Sequence, residues 1–113
     1  MRYGCVKLSN IRDAKEWFEV LQTTERCQTA MMMLEPGDET GSKAEAHDKS
    51  DQVLLMLEGE LSGEVGNERP RLRKNDIIVI PAGTKHRFEN CGSTTAVTFN
   101  VYSPPAYPAG TKG

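Results

Sequence analysis

Two short stretches of the chain carry the residue types that most often bind metals or hydrogen-bond to ligands. In the first stretch, Glu45 and His47 stand two residues apart, and Gln52 follows five residues later at the start of an apolar run. Residues two apart on an extended chain point to the same face, so Glu45 and His47 share one side. If the chain turns before Gln52, these three polar side chains converge inside a fold whose walls are otherwise apolar.

The second stretch centres on His86, the other of the two histidines in the chain. Residues 77–80 form a β-branched run that predicts a strand, and residues 81–84 (Pro-Ala-Gly-Thr) are typical of the turn that ends one. Phe88 and Asn90 stand two and four residues beyond His86, so the three side chains share one face of the strand after the turn. The sequence therefore predicts that the turn aims His86 towards the interior.

The segments that must position these residues are predicted to be strands. The apolar run from Val53 to Leu57 suits a buried strand, because a helix would need roughly ten or more residues. We predict further strands at residues 17–21 (in preference to a short helix), 27–34, 61–65, 69–73 and 94–102. In the last of these, Val97, Phe99 and Val101 alternate with Thr98, Asn100 and Tyr102. Many short strands separated by Gly, Pro and Asn turns predict an all-β sandwich or barrel.

Three segments have a weaker pattern. Tyr3 to Leu8 alternates briefly and is interpreted as an edge or exchanged strand, and residues 35–46 are interpreted as a loop. The tail after Ser103 contains three prolines, so we expect it to leave the sheet and to lie on the surface or on a partner. The Met31–Met33 triplet is assigned to packing and not to copper binding, because consecutive strand residues face opposite sides.

Length and composition limit the classes of function. At 113 residues we expect one domain over residues 1–113. The net charge of −2 gives no electrostatic basis for binding nucleic acid, and no apolar run approaches the ~20 residues that cross a membrane. The first residues lack the apolar segment of a signal peptide, and the three cysteines show no disulfide or zinc spacing. These features predict a cytoplasmic protein with reduced cysteines.

Together the two stretches resemble the two signature motifs of the cupin superfamily. The first cupin motif, H-x-H-x(3,4)-E-x6-G, has its counterpart in Glu45, His47, Gln52 and Gly59. The second motif, G-x5-P-x-G-x-x-H-x-x-x-N, is matched from Pro81 onward, with Asn75 in place of its first glycine; the matching residues are Pro81, Gly83, His86 and Asn90. The resemblance covers roughly residues 30–103 and implies a double-stranded β-helix, a small jelly-roll barrel. The barrel would span about residues 27–103, with N-terminal strands in 3–24 and a tail at 104–113.

In metal-binding cupins these motif positions hold one ion inside the barrel. Carried over residue by residue, the metal site here is Glu45, His47, Gln52 and His86. Glu45 stands where the family has a histidine, and Gln52 where it has a carboxylate, so the formal charge of the set is unchanged. Imidazole and carboxylate suit Zn, Mn, Fe or Ni in the divalent state, and Glu45, His47 and His86 alone would make a two-histidine, one-carboxylate triad. Cupins that have lost the metal often keep a hydrogen-bonded polar cluster there.

The resemblance extends to a subgroup of small cupins related to tetracenomycin polyketide synthesis proteins, through the ending V-Y-S-P-P-A-Y and the pair Asp51-Gln52. Three functions stay open: a metal-dependent enzyme acting on a small molecule, a metal-free module that binds a small-molecule ligand, and an assembly or regulatory domain that acts through its dimer face. We also predict a homodimer, since a small barrel leaves sheet edges that a partner commonly covers. No reaction or substrate follows from the sequence.

Overall fold

The computed structural model describes residues 6–113, and this part of the chain folds almost entirely as strands. A single turn of 3-10 helix, Ile11–Asp13, precedes the first strand. The strands are β1 Phe18–Thr23, β2 Gln28–Leu34, β3 Asp51–Glu58, β4 Leu61–Val65, β5 Arg71–Leu72, β6 Ile77–Ile80, β7 His86–Glu89 and β8 Ala96–Ser103. The strand predicted at residues 17–21, over the alternative of a short helix, is thus confirmed as β1. Among the described residues, no helix is both long and apolar enough to cross a bilayer.

Two antiparallel sheets face each other. The larger has the strand order β1-β2-β8-β3-β6, and the smaller has the order β5-β4-β7. Alternate residues of the strands point into the space between the sheets and form the core; its buried members are Phe18, Val20, Ala30, Met32, Leu34, Leu54, Met56, Leu61, Leu72, Ile80, Phe88, Ala96 and Tyr102. The prediction of a double-stranded β-helix is confirmed.

Strand β8 turns its polar face inward. Thr98 and Asn100 are fully buried, as is Tyr102, whereas Val97 and Phe99 lie on the outer face and stay partly exposed. The alternation predicted for this strand is therefore present, with the polar set facing the core. Buried polar side chains on a strand need partners from neighbouring strands, so this face needs a hydrogen-bond network.

Two tight turns carry the chain from the larger sheet to the smaller one. Gly59, between β3 and β4, has φ +74, and a Cβ at that position would lie 2.6 Å from the carbonyl oxygen of Thr95. Only glycine fits such a close approach in the left-handed region. Gly83, in the turn before β7, has φ +83, and its N–H donates to the carbonyl of His47 over 2.8 Å. The second turn thus ties the two stretches with functional residue types to each other.

Both ends of the described chain differ from expectation. Residues 6–8 are not part of a strand, and the rest of the segment predicted as an edge strand, Tyr3 to Cys5, lies outside the described residues. The tail returns to its own barrel: Val20 N–H donates to the Thr111 carbonyl over 2.8 Å, and Gly113 N–H donates to the Phe18 carbonyl over 2.7 Å. Residues 104–110 leave the sheet as expected, and the chain pairs again only beyond them, because the prolines end at residue 108 and leave later N–H groups free to pair.

Candidate functional site

A cavity of about 390 Å³ opens between the two sheets. Its lining combines ring-bearing side chains with a few polar ones: Trp17, Phe18, Met32, Thr40, Lys43, Glu45, Ala46, His47, Gln52, His86, Phe88, Tyr102, Tyr107, Thr111 and Gly113. Seven of these residues carry aromatic or imidazole rings, out of nine such residues in the whole sequence. The volume falls in the range of about 300–1,000 Å³ that is usual for small-molecule sites.

His86 reaches the cavity from the first position of β7. Its Nδ1 lies 3.0 Å from the carbonyl oxygen of Thr84 within the preceding turn. A carbonyl can only accept, so Nδ1 carries a proton, and in the neutral tautomer the lone pair lies on Nε2. The ring centroid of His86 is 5.3 Å from that of His47, so the two imidazoles share one site.

His47 enters from the loop between β2 and β3 and sits among aromatic rings. Its ring meets Tyr102 and Tyr107 edge to face, with centroid distances of 5.2 and 5.5 Å. Burial lowers the pKa of His47, and the neighbouring His86 lowers this pKa further. Both tyrosines have a raised pKa, chiefly because burial disfavours the phenolate. At neutral pH this wall therefore consists of a neutral imidazole and two protonated phenols.

The long loop is held beside β7 by backbone and side-chain bonds. Glu45 and His86 exchange two backbone hydrogen bonds, of 3.1 and 2.9 Å. Arg87 donates through Nε to the Gly41 carbonyl over 2.8 Å, and its Nη2 lies 2.7 Å from a carboxylate oxygen of Glu39. These contacts place Glu45 at the mouth of the cavity, where it is exposed.

The four residues predicted as a metal site line one cavity, but they do not complete a metal-binding group. Within residues 6–113, no three His, Cys, Asp or Glu side chains come close enough to hold one ion. Gln52 would have to supply the remaining ligand, and its neutral amide oxygen does not offset the desolvation of a cation. The arrangement therefore fits a resident metal poorly, and the binding of Zn, Mn, Fe or Ni stays a prediction.

Gln52 belongs instead to a buried amide network. Its Nε2 donates to Asn100 Oδ1 over 3.0 Å, and Asn100 Nδ2 donates to Thr98 Oγ1 over 3.0 Å. Thr98 Oγ1 in turn donates to the Met32 carbonyl over 3.0 Å. The Oε1 atom of Gln52 is buried and has no partner among the described residues. Leaving a buried acceptor without a hydrogen bond costs about 1–3 kcal/mol of folding free energy. A donor that reached this oxygen would therefore form a favourable hydrogen bond.

Asn90, the last residue of the second motif, has a structural role. Its Nδ2 donates to the carbonyls of Leu34 and Thr94 over 2.9 and 2.8 Å, and its Oδ1 accepts from Gly92 N–H over 2.9 Å. The side chain is buried and is not among the residues that line the cavity. Asn90 therefore fastens the turn before β8 to the end of β2.

The tail supplies one wall of the cavity, which the sequence did not predict. Gln28 is fully buried on β2, and its Oε1 accepts from the N–H groups of Ala106 and Tyr107 over 3.2 and 3.1 Å. Its Nε2 donates to the Tyr107 carbonyl over 2.8 Å. One glutamine thus holds the tail so that the Tyr107 ring packs against Phe18, His47 and Tyr102.

Comparison with known proteins agrees with the resemblance to cupins found in the sequence. The family model of the cupin domain matches residues 30–102. The YrkC protein of Bacillus subtilis is 32% identical over 97 residues, which cover 80% of this chain and 51% of YrkC. The tetracenomycin polyketide synthase protein TcmJ of Streptomyces glaucescens is 35% identical over 60 residues, covering 53% of this chain and 40% of TcmJ. The chain spans about half the length of the curated relatives it matches.

The fold also matches solved structures. The crystal structure of BH2720 from Bacillus halodurans superposes with a TM-score of 0.86 at 24% identity, covering 98% of this chain and 91% of that one. At this identity the similarity establishes the fold alone.

Proposed function

Because this chain belongs to the cupin family, we propose that it binds a small molecule in the cavity between its two sheets. The observation that carries the proposal is the concentration of seven ring side chains around one 390 Å³ space. Aromatic surface placed around a cavity with few convergent polar groups is the usual composition of a ligand site. Similarity to TcmJ, over about half of the chain, supports a ligand from small-molecule metabolism of the polyketide type. The proposed setting is the cytoplasm.

A fragment screen by saturation-transfer NMR tests the proposal without requiring that the natural ligand be known. Ala46 lines the cavity from the loop, so Ala46→Trp places an indole in the space without altering a strand. Ser62→Trp is the matched control, because Ser62 is exposed on β4, where a strand tolerates tryptophan. We expect fragments that bind the parent and Ser62→Trp but not Ala46→Trp. Absence of hits in the parent, or hits unaffected by Ala46→Trp, would refute the proposal.

The metal-dependent enzyme is the second candidate, favoured by the free Nε2 of His86 beside His47. Elemental analysis of protein purified without chelator or nickel affinity resin tests it. About one Zn, Mn, Fe or Ni per chain, lost in His86→Ala, would establish the metal that this alternative requires. A metal content below about a tenth of the chain concentration in the parent would reject it.

We further propose that a second copy of the chain covers the outer face of the larger sheet. Phe99, Leu55 and Ile77 lie side by side in register across three strands, and none is charged; Met31, which continues the row on β2, is already buried within the chain. Ile77 and Val79, on the same face of β6, are 65% and 58% exposed. An uncharged, partly exposed row across three strands suits a contact with the same row of a second copy, and cupin folds commonly form oligomers. The homodimer stays a prediction.

Light scattering at micromolar concentration measures the assembly. The parent is expected to give twice the 12.5 kDa chain mass. Ile77→Lys, which places a charge in the uncharged row, is expected to give the chain mass itself. A parent that scatters as a single chain would refute the dimer.

A further inference from the structure

We propose that the cavity selects ligands that donate a hydrogen bond from a flat aromatic body, because the Gln52 amide is locked in the orientation of an acceptor. The inference rests on the proposed function and adds the class of ligand to it. It depends on the direction of the buried network that ends at Gln52 and on the rings that surround the cavity.

The network has one allowed direction. The Met32 carbonyl cannot donate, so the single hydroxyl proton of Thr98 must point towards it. Thr98 Oγ1 then accepts, and Asn100 must turn its NH₂ group towards that oxygen. Asn100 therefore presents Oδ1 to Gln52, and the NH₂ group of Gln52 donates to it. The orientation of each side chain fixes the orientation of the next, so Gln52 Oε1 is left as the unpaired acceptor at the end of the network.

Reversing the network would create a repulsive contact. If Asn100 presented its oxygen to Thr98, the Thr98 hydroxyl would have to donate to that oxygen and not to the Met32 carbonyl. The Thr98 and Met32 oxygens, 3.0 Å apart, would then face each other without a proton between them. Thr98 and Asn100 are fully buried and Gln52 is 3% exposed, so water does not relieve such a contact.

An oxygen fixed in this way discriminates between ligand chemistries. A hydroxyl or N–H group of a ligand satisfies Oε1, whereas an ether or a carboxylate sets a second acceptor against it. Oε1 is itself buried, so the proposal requires that a side chain of the cavity wall move before a donor can reach it. Among the residues that line the cavity, the two charged ones, Lys43 and Glu45, are exposed, so a neutral ligand suits the interior.

The remaining lining favours a flat aromatic body. The rings of His47, Tyr102 and Tyr107 meet one another at 75–79°, with centroids 5.2–5.5 Å apart. Such a wall offers both ring faces and ring edges to a guest, and aromatic pairs gain about 0.5–1.5 kcal/mol beyond area burial. The phenols of both tyrosines stay protonated, so neither adds a negative charge that would disfavour a π-face.

Three probes with one aromatic body separate these effects: 2-naphthol, its methyl ether 2-methoxynaphthalene, and 2-naphthoate. In calorimetry at pH 7.5 we expect 2-naphthol to bind about tenfold or more tightly than either analogue. Equal affinities for the naphthol and the ether would overturn the inference about the donor. Failure of all three to bind would overturn the aromatic class. Both outcomes leave small-molecule binding itself to be decided by the fragment screen with Ala46→Trp.

Variants of the network test whether its direction is the cause. Thr98 is not among the residues that line the cavity, and Thr98→Val removes the hydroxyl that fixes the direction. We expect the preference for naphthol over the ether to fall to about threefold or less in Thr98→Val, and to persist in Thr98→Ser. A purely structural role of Thr98 would weaken both probes equally and leave their ratio unchanged, which would also overturn the inference.

Gln52→Met removes the acceptor while preserving the length of the side chain. Its expected result is similar binding of naphthol and ether. Gln22→Met is the matched control, since Gln22 lies on β1 and is not among the residues that line the cavity. A persistent preference for naphthol in Gln52→Met would contradict the assignment of Oε1 as the selecting atom.

Discussion

The attachment of the tail to the barrel through one glutamine yields a prediction with a calculable size. Gln28→Met keeps the volume of the side chain but removes the three hydrogen bonds to the backbone of Ala106 and Tyr107, together with one to the Thr23 hydroxyl. At about 0.5–1.5 kcal/mol for each of these four net hydrogen bonds, the free energy of unfolding falls by about 2–6 kcal/mol. For a domain of this size, such a loss lowers Tm by roughly 8–25 °C.

Hydrogen exchange shows where that stability is lost. Val20 N–H is bonded to the Thr111 carbonyl, and Gly113 N–H to the Phe18 carbonyl, so both report on attachment of the tail. We expect both amides to lose protection in Gln28→Met before the amides in the centre of β8. Gln22→Met is again the control: it removes a glutamine with two hydrogen bonds, to the Lys7 carbonyl and from the Thr29 hydroxyl, neither of which holds the tail, so it should not expose the amides of Val20 and Gly113 before those of β8. Unchanged exchange at Val20 and Gly113, with Tm within about 1 °C of the parent, would refute the role of Gln28.

Two further predictions concern His47 and Arg87. The pKa of His47 is lowered in the folded state, so the unfolded chain binds more protons between that lowered pKa and the ordinary 6.5. The contribution of His47 to the free energy of unfolding should therefore be fully present above pH 6.5 and be lost as the pH falls through the folded-state pKa. In His47→Gln, the urea midpoint should change less over this range of pH. Arg87→Met leaves the carboxylates of Glu39, Glu64 and Glu89 without their shared cation, and we expect a loss of about 1–3 kcal/mol in urea unfolding. A midpoint unchanged by Arg87→Met, or a pH profile unchanged by His47→Gln, would contradict the respective prediction.

The parts of the fold that the sequence predicted depend on local patterns. The turn Pro81–Thr84 and the spacing from His86 to Phe88 are set within a few residues, and the structure places both His86 and Phe88 at the cavity as a result. The strands β3 and β6 followed from short apolar runs bounded by turn residues. The cupin motifs then related the two stretches, because they specify positions that are distant in sequence.

The parts that the sequence did not predict depend on contacts between distant residues. Gln28 and Tyr107 are 79 positions apart, and nothing near either residue indicates that one fixes the other. The alternation in β8 defines two faces but not which one is buried, and here the face with Thr98 and Asn100 is inside because β2 and β3 supply partners. The direction of the Gln52 amide depends on three consecutive contacts and is visible only in three dimensions.

The central claim is that Gln52 Oε1 receives a donor from a small molecule within the cavity. A crystal structure of the protein soaked with 2-naphthol tests this claim most directly. We predict that the naphthol oxygen lies within about 2.5–3.0 Å of Gln52 Oε1, with its rings beside His47 and Tyr107. Naphthol bound only outside the cavity, or a protein donor already bonded to Gln52 Oε1, would contradict the claim.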